Sequence, residues 1–307
     1  MKILVVWFLL VDEWMHARAL LTDLAAMKKR GHEIKCIFPV IRGSRRVDEQ
    51  QIEIDPVCLP WFMPIISLLW FCLAALMRVI REHDVDAVVV EPSLLPLVLA
   101  WMPLRLLSHE RRSALITRET SPPVEVRSKR TYYLSWFRYV SVHVLSRWSA
   151  ALFAVSPMHK ERIVTDFGIS SDKVHVWPSS VDADLFSPDK YSGDRCRIRT
   201  NLDVGDKFLL LYHGSLSNER GLFQLLTAMH LIHGELEDVA LLLLGKGPGE
   251  RKLRRLASSL NMGGFVIFHS PVDYRDVPKF IAAADAGVVP LPDDPQWRYQ
   301  VPTKLLE

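Results

Sequence analysis

The sequence predicts an α/β protein built from two Rossmann-like, doubly wound domains, and three observations carry that prediction. The chain opens on a β-α-β pattern: an apolar run from Lys2 to Leu9, a helical stretch from Trp14 to Arg30, and a second run from Ile34 to Phe38. A comparable alternation starts afresh at Phe208. Between them lies Ser179 to Pro188, rich in Ser, Asp and Pro, which reads as a linker. At 307 residues the chain can bury two separate cores, and the expected division is 1–183 and 184–307.

The elements follow in order. Lys2 to Leu9 has no small-residue cleavage site and is followed at once by Asp12 and Glu13, so it reads as a strand rather than a signal peptide. Trp14 to Arg30 carries Ala17, Leu20, Leu21, Leu24 and Met27 at helical spacing, and Gly31 ends it. No Gly-x-Gly-x-x-Gly lies between strand and helix, which weighs against an NAD-binding oxidoreductase. Gly43 to Gln51 is a polar, basic loop. Pro56 to Met77 holds no charge over 22 residues, a length that could span a membrane. Pro60 and Pro64 interrupt it, however, and a strand at Ala87 to Glu91 follows closely, so Ile65 to Ile80 is expected to be a core or interfacial helix. Then come a helix at Leu94 to Leu107, a strand at Ala114 to Thr117, a basic loop at Arg118 to Arg130, and an aromatic helix at Tyr132 to Trp148. A strand at Ala151 to Ala154, a helix at Pro157 to Phe167 and a strand at Val174 to Trp177 complete the first domain. In the second, strands are expected at Phe208 to His213, Ala240 to Leu244, Val266 to His269 and Ala286 to Val289. Helices are expected at Gly221 to His233, Glu250 to Leu260 and Val277 to Ala284.

Composition removes several functional classes. Hydrophobic residues make up 49% of the chain, which excludes disorder. A net charge of +3 is too small to argue for nucleic acid. The four cysteines, Cys36, Cys58, Cys72 and Cys196, have neither CxxC nor Cys/His ligand spacing, so no metal site is expected; they suit a reducing cytoplasm. Residues 1–185 carry 23 Lys/Arg against 20 Asp/Glu and the remainder 15 against 15, so the basic excess lies in the first half. Trp61, Trp70, Trp101, Trp136 and Trp148 are interleaved with Arg and Lys, a mixture that suits a membrane interface and core packing equally.

Polar residues at the carboxyl ends of strands are the candidate site, since open α/β sheets bind ligands there. His213, Gly214 and Ser215 follow the first strand of the second domain, and Glu219, Arg220 and Gly221 open the next helix. A glycine turn lets backbone N–H groups approach a phosphate, and a helix start and an arginine add positive potential; the alternative is an ordinary turn with a solvated arginine. Gly245-Lys246-Gly247-Pro248-Gly249 is a second tight turn, and Ser270 to Asp273, with Val272 in it, a third. Past the last strand, Pro302 sits where a helix should begin and puts Glu307 near its start, with Lys304 beside it. A carboxylate there can accept from two adjacent ribose hydroxyls, or can simply cap a helix. In the first domain Glu13 and His16 follow strand one, and Arg118 and Glu119 follow the Ala114 to Thr117 strand; they would face a cleft or be plain surface residues. His159 and His175 read as structural.

The order Pro290-Leu291-Pro292, loop, Pro302-Thr303-Lys304-Leu305-Leu306-Glu307 resembles the donor-site signature of the retaining glycosyltransferases of family 4, which have the GT-B fold. Val181-Asp182 followed by Phe186-Ser187-Pro188 is similar to that family's interdomain segment, and Gly245 to Pro248 to its Gly-x-Gly-Pro turn. The family pattern has two glutamates separated by seven residues. The ribose-binding one falls at Glu307, and the sugar-contacting one at Tyr299, where this chain departs from the pattern. The resemblance implies two domains facing a cleft, a diphosphate held by Arg220 and, in a lesser role, Lys304, and a nucleotide base beside Val272. It implies a UDP- or GDP-linked sugar as substrate, no cofactor or metal, and retention of configuration. Gly214, Ser215, Gly245, Lys246 and Tyr299 complete the expected donor contacts, and Arg220 and Glu307 are the expected catalytic pair. Glu13, His16, Arg118 and Glu119 would serve a glycan or lipid-linked acceptor. The resemblance also implies that the second domain lacks its last strands and a final crossover helix. Peripheral contact with anionic membrane at the inner face of the cell membrane is expected from the apolar stretch and the basic excess. Alternatives are a sugar-nucleotide epimerase or a non-catalytic partner that keeps the fold.

Overall fold

A computed structural model gives the architecture and describes residues 1–8, 14–40, 52–59, 64–82, 84–107, 113–120 and 129–307. The chain divides into two compact units, the first formed by residues 1–180 and 298–301, the second by 181–297 and 302–307.

The first unit holds a seven-stranded parallel sheet. Its strands are β1 (Lys2–Val6), β2 (Glu33–Val40), β3 (Glu53–Cys58), β4 (Ala87–Val90), β5 (Ala114–Glu119), β6 (Ala151–Ala154) and β7 (Val174–Val176), in the order β3-β2-β1-β4-β5-β6-β7. Helices α1 (Trp14–Lys29), α2 (Pro64–Arg81), α3 (Leu95–Leu107), α4 (Lys129–Trp148) and α5 (Pro157–Phe167) make the crossovers described. Side chains along a strand alternate faces, and the two cores record that alternation. Leu4 and Val6 of β1, with Val88 and Val90 of β4, join Phe71, Ala75 and Val79 of α2 and Val98 and Trp101 of α3. Val5 of β1 and Val89 of β4 instead join Leu20, Leu21 and Leu24 of α1 on the opposite face. Helix α5 has clear stops. The Ser156 hydroxyl accepts from the His159 N–H at 3.1 Å, Pro157 opens the first turn, and Gly168 closes it at φ 61°.

The second unit is a four-stranded parallel sheet in the order β10-β9-β8-β11. Its strands are β8 (Phe208–His213), β9 (Val239–Leu244), β10 (Val266–His269) and β11 (Ala286–Gly287), and its helices include α6 (Asp194–Asn201), α7 (Leu222–His233), α8 (Glu250–Ser259) and α9 (Val277–Ala283). Tyr212, Leu241 and Leu243 face α7 and α8, while Leu209, Leu211, Leu242 and Leu244 face α6 and α9. Helices on both faces of a parallel sheet make each unit doubly wound, as the sequence predicts.

Among the strands and α-helices, three escape the sequence reading: strand β3, helix α6 and the short helix α10 (Pro295–Arg298), which falls in the expected loop. Strand β3 contains Pro56, which cannot donate to a ladder, yet β3 lies at the sheet edge beyond β2, where a proline is tolerated. Helix α6, Asp-Arg-Cys-Arg-Ile-Arg-Thr-Asn, lacks an apolar stripe. Its arginines hold it instead: Arg195 and Arg199 donate to the carbonyls of Ala282, Ala283 and Ala284 at 2.9–3.2 Å, capping the C-terminus of α9. The last strand is also shorter than expected, pairing only Ala286 with Leu210 and Gly287 with Leu211 before Pro290. The expected helix after Pro302 is a single 3-10 turn, Thr303–Leu305.

Candidate functional site

The carboxyl ends of β8, β9 and β10 are tied together by backbone. Gly214 N–H donates to the Leu244 carbonyl at 2.9 Å, Gly245 N–H to His269 at 3.0 Å, and Leu216 N–H to Lys246 at 3.0 Å. Gly245, at φ 149°, lies so close to its neighbour that a Cβ there would sit 1.9 Å from the Gly214 carbonyl oxygen. Gly221, at φ 70°, is under similar constraint, since its Cβ would sit 1.7 Å from the Pro290 carbonyl oxygen. These glycines are therefore fixed by close approach of backbone. They draw the start of α7 against the Pro290–Pro292 segment, and Arg220 with it.

Arg220 is half-buried and stacks on Trp297, its guanidinium carbon 4.6 Å from the ring centre. The Trp297 indole N–H donates to the Glu219 carbonyl at 3.0 Å, which fixes the ring under the arginine. Lys304 donates to the His213 carbonyl at 2.7 Å, with its ammonium 4.0 Å from the centre of the Tyr212 ring. Burial, and then the Arg220 charge, push the Lys304 ammonium down to about 7, against a smaller opposing effect of Glu307. Glu307 has a buried carboxylate, 7% exposed, that accepts from the Tyr274 hydroxyl at 2.9 Å and lies 3.4 Å from His213 Nε2. Burial raises its carboxyl, while the Tyr274 bond and Lys304 oppose the rise. His213 is pushed down to about 4 by burial and then by Lys304, so at neutral pH it meets Glu307 as a neutral ring. His213, Lys304 and Glu307 line a pocket of about 330 Å³ with Leu211, Val288 and Val289. The pocket thus joins a buried carboxylate to a lysine whose charge is marginal at neutral pH.

The structure brings Arg220, Lys304, Glu307, Gly214 and Gly245 to one end of one sheet, with Ser215 accepting the Tyr212 hydroxyl at 2.8 Å through its carbonyl. Lys246 is exposed, and Val272 packs against the core on the α6 and α9 side of the sheet. Tyr299 belongs to the first unit. Its carbonyl accepts from the Ser156 hydroxyl at 2.8 Å, and its ring lies 4.7 Å from the Arg162 guanidinium carbon. Arg118 and Glu119 close β5 and are 3% and 0% exposed. Arg118 pairs with Asp23 at 3.1 Å and stacks on Trp177 at 4.1 Å, and Glu119 pairs with Arg138. Their charges are thus matched inside the unit. His16 lies on α1 with its side chain outside the described residues, and Glu13 lies outside them altogether. His213, which the sequence places at the turn with Gly214 and Ser215, joins the cluster beside Glu307; Tyr212, Tyr274 and Trp297 join it from outside the expected set. Only adjacency to the Pro-Leu-Pro segment flags Trp297.

Two family models match the chain: Glycosyltransferase Family 4 over residues 16–185, and Glycosyl transferases group 1 over residues 195–295. Among curated proteins, a GDP-mannose-dependent alpha-(1-6)-phosphatidylinositol monomannoside mannosyltransferase of Mycolicibacterium smegmatis is 25% identical over 271 residues, covering 85% of this chain and 65% of that one. A D-inositol 3-phosphate glycosyltransferase of Xylanimonas cellulosilytica is 32% identical over 150 residues, covering 46% of this chain and 35% of that one. This chain thus spans 65% of the length of the mannosyltransferase. Among solved structures, Anabaena HepE in complex with UDP superposes with a TM-score of 0.68 at 16% identity, covering 94% of this chain and 74% of that one. Sucrose-phosphate synthase of Thermosynechococcus elongatus superposes with a TM-score of 0.72 at 15% identity, covering 95% and 76%. These likenesses bear on the fold, which is GT-B. Since the first family model covers more than half of the sequence, the chain belongs to glycosyltransferase family 4.

Proposed function

We propose that this chain moves a sugar from a UDP- or GDP-linked donor to an acceptor with retention of configuration and without a metal. The observation that carries the reading is the cluster of Arg220, Lys304 and Glu307 at the carboxyl ends of the second sheet, in a chain of this family. Glu307 accepts from the two ribose hydroxyls in place of its present Tyr274 donor. Arg220 and Lys304 meet the diphosphate, with the Gly214 and Gly245 turns allowing backbone N–H groups to approach it. The bond from the anomeric carbon to the diphosphate oxygen breaks, the acceptor oxygen bonds to that carbon on the same face, and the departing oxygen takes the acceptor's proton. Catalysis then rests on positioning and on charge stabilisation as the diphosphate leaves. Two of the relatives are named for inositol-containing acceptors, one of them a lipid. By analogy the acceptor here is an inositol-type or glycan acceptor carried on a lipid, met by a cytoplasmic protein in peripheral contact with anionic membrane.

The test is calorimetry of nucleoside and nucleoside diphosphate against two variants. Glu307→Gln should weaken both ligands about equally, by roughly 1.5–3 kcal/mol, because both carry the ribose. Arg220→Ala should spare the nucleoside, weaken the diphosphate, and lower turnover by about 10²–10³-fold. Equal loss of both ligands in Arg220→Ala would make the arginine structural, and unchanged affinity in Glu307→Gln would end the ribose assignment. A second reading, a partner that binds nucleotide without turnover, is favoured by Tyr299 standing in place of the sugar-contacting glutamate and lying with the first unit. Product analysis with donor and acceptor separates the two.

A further inference from the structure

Helix α2 is apolar on both sides. Phe71, Cys72, Ala75 and Val79 enter the core, at 5% exposure or less. On the opposite side Ile65, Ile66, Leu69, Trp70, Leu73, Met77 and Ile80 are 43–73% exposed. Their spacing puts all seven on one continuous stripe, with exposed Arg81 at its C-terminal end, while Arg78 is turned aside onto Asp55 at 2.9 Å. Single exposed apolar residues need no explanation; seven in one stripe do. Helix α3 packs beside α2 and adds exposed Leu99 and Leu104. Among the described residues no helix is long and apolar enough to cross a membrane.

We infer that this stripe of α2 is an insertion surface that lies in the interfacial region of a phospholipid bilayer. The inference rests on the proposed peripheral membrane contact and names the element that makes it. The stripe covers 16 residues, about 24 Å of helix, a length that lies in the plane of the interface and falls short of the roughly 30 Å hydrocarbon core. A bilayer needs no shape-matched partner, only apolar side chains at the depth of the acyl boundary. Chemistry agrees. The stripe has no charge along its length, carries a tryptophan whose indole N–H is already satisfied by the Cys58 carbonyl at 3.2 Å, and ends on an arginine suited to anionic headgroups. The core supplies what the polar face of a free amphipathic helix would supply, since it holds the buried face and leaves the other for the lipid.

The experiment is flotation of the full chain with vesicles of phosphatidylcholine containing phosphatidylglycerol, at low and high salt. The parent is compared with a triple variant, Ile66→Ser, Leu69→Ser and Leu73→Ser. These side chains face outward, so the variant should keep the parent's circular dichroism and melting. It should partition at least about tenfold less well, with the deficit persisting at high salt because the lost contact is apolar. Brominated lipid should quench the parent's tryptophan emission more than that of Trp70→Phe. If the variant floats like the parent, α2 is not the inserting element, although peripheral contact stands. If the parent does not float under any condition, both readings fall. If the parent is a dimer in the absence of lipid and the triple variant a monomer, the stripe is a protein interface and the inference is overturned. Should the triple variant misfold, Trp70→Phe quenching alone decides, and equal quenching in parent and variant overturns the inference.

Discussion

Lys304 is the residue at which chemistry and environment meet most directly. Its ammonium, held down to about 7 by burial and by Arg220, is only partly charged in the free protein at neutral pH. A diphosphate placed beside it favours the charged form, so binding should take up protons near pH 7. Affinity should be highest below pH 7 and fall as pH rises above it, until the raised pKa of the bound state is passed. Calorimetry in buffers of different ionisation enthalpy measures the uptake directly. Lys304→Met should abolish it and flatten the pH dependence; uptake that survives the substitution would assign the proton elsewhere. The same residue marks what was legible in the sequence. Arg220, Lys304 and Glu307 stand in a motif with fixed order, so they could be picked out. Tyr274 and Trp297 could not, because one reaches Glu307 from a loop 33 positions earlier and the other holds Arg220 through a ring face. Contacts of that kind leave no spacing to read.

At the scale of elements, periodicity found what apolar stripes hold and missed what polar contacts hold. Helix α1 shows its core face in Leu20, Leu21 and Leu24, and was found. Helix α6 buries only Ile198 and Arg199, and was not. Arg199 donates to the Gly205 carbonyl at 3.0 Å and the Ala283 carbonyl at 3.0 Å, pairs with Asp285 at 3.1 Å, and also meets the Lys207 carbonyl. Its side chain is 11% exposed, against 38% for Arg195. Removing a buried charged donor strands its partners, so Arg199→Met should destabilise the second unit by about 3 kcal/mol, within the range for breaking a buried pair. Arg195→Met, whose partners can turn to water, should cost about 1 kcal/mol or less. Urea denaturation of both variants checks the ranking; equal losses would mean that α6 is held by Ile198 packing instead. Strand β3 was hidden for a different reason, because its proline removes the local strand signal and only its edge position makes the proline harmless.

For the whole molecule, the first unit carries its own apolar cores and so does the second, and each should report its own pH dependence on heating. Alternation of strands and helices made two parallel sheets readable in advance. Strand order was not readable, and nor was the return of residues 298–301 to the first unit, since both are set by pairings distant in sequence. One such distant pairing bears on the acid–base behaviour of the first unit. Glu91 follows β4 and accepts from the Phe8 N–H at 2.8 Å. Burial raises its carboxyl from 4.5 to about 7, against the Phe8 bond and the Arg138 charge, with Glu119 adding to the rise. Its folded pKa lies above its unfolded one, so the folded unit binds more protons between pH 4.5 and 7. The contribution to stability is fully present below pH 4.5 and is lost as pH rises through 7, on the order of 3 kcal/mol in all. His159, in the same unit and pushed down to about 4 by burial, works the other way between pH 5 and 6.5, so scanning calorimetry reads the Glu91 contribution as the difference between parent and variant. Glu91→Gln, which keeps an acceptor for Phe8 and cannot ionise, should melt higher than the parent at pH 8 but not at pH 5. A variant that melts lower than the parent at pH 8 would mean that Glu91 is held ionised by Arg138 and that the charge pair outweighs burial.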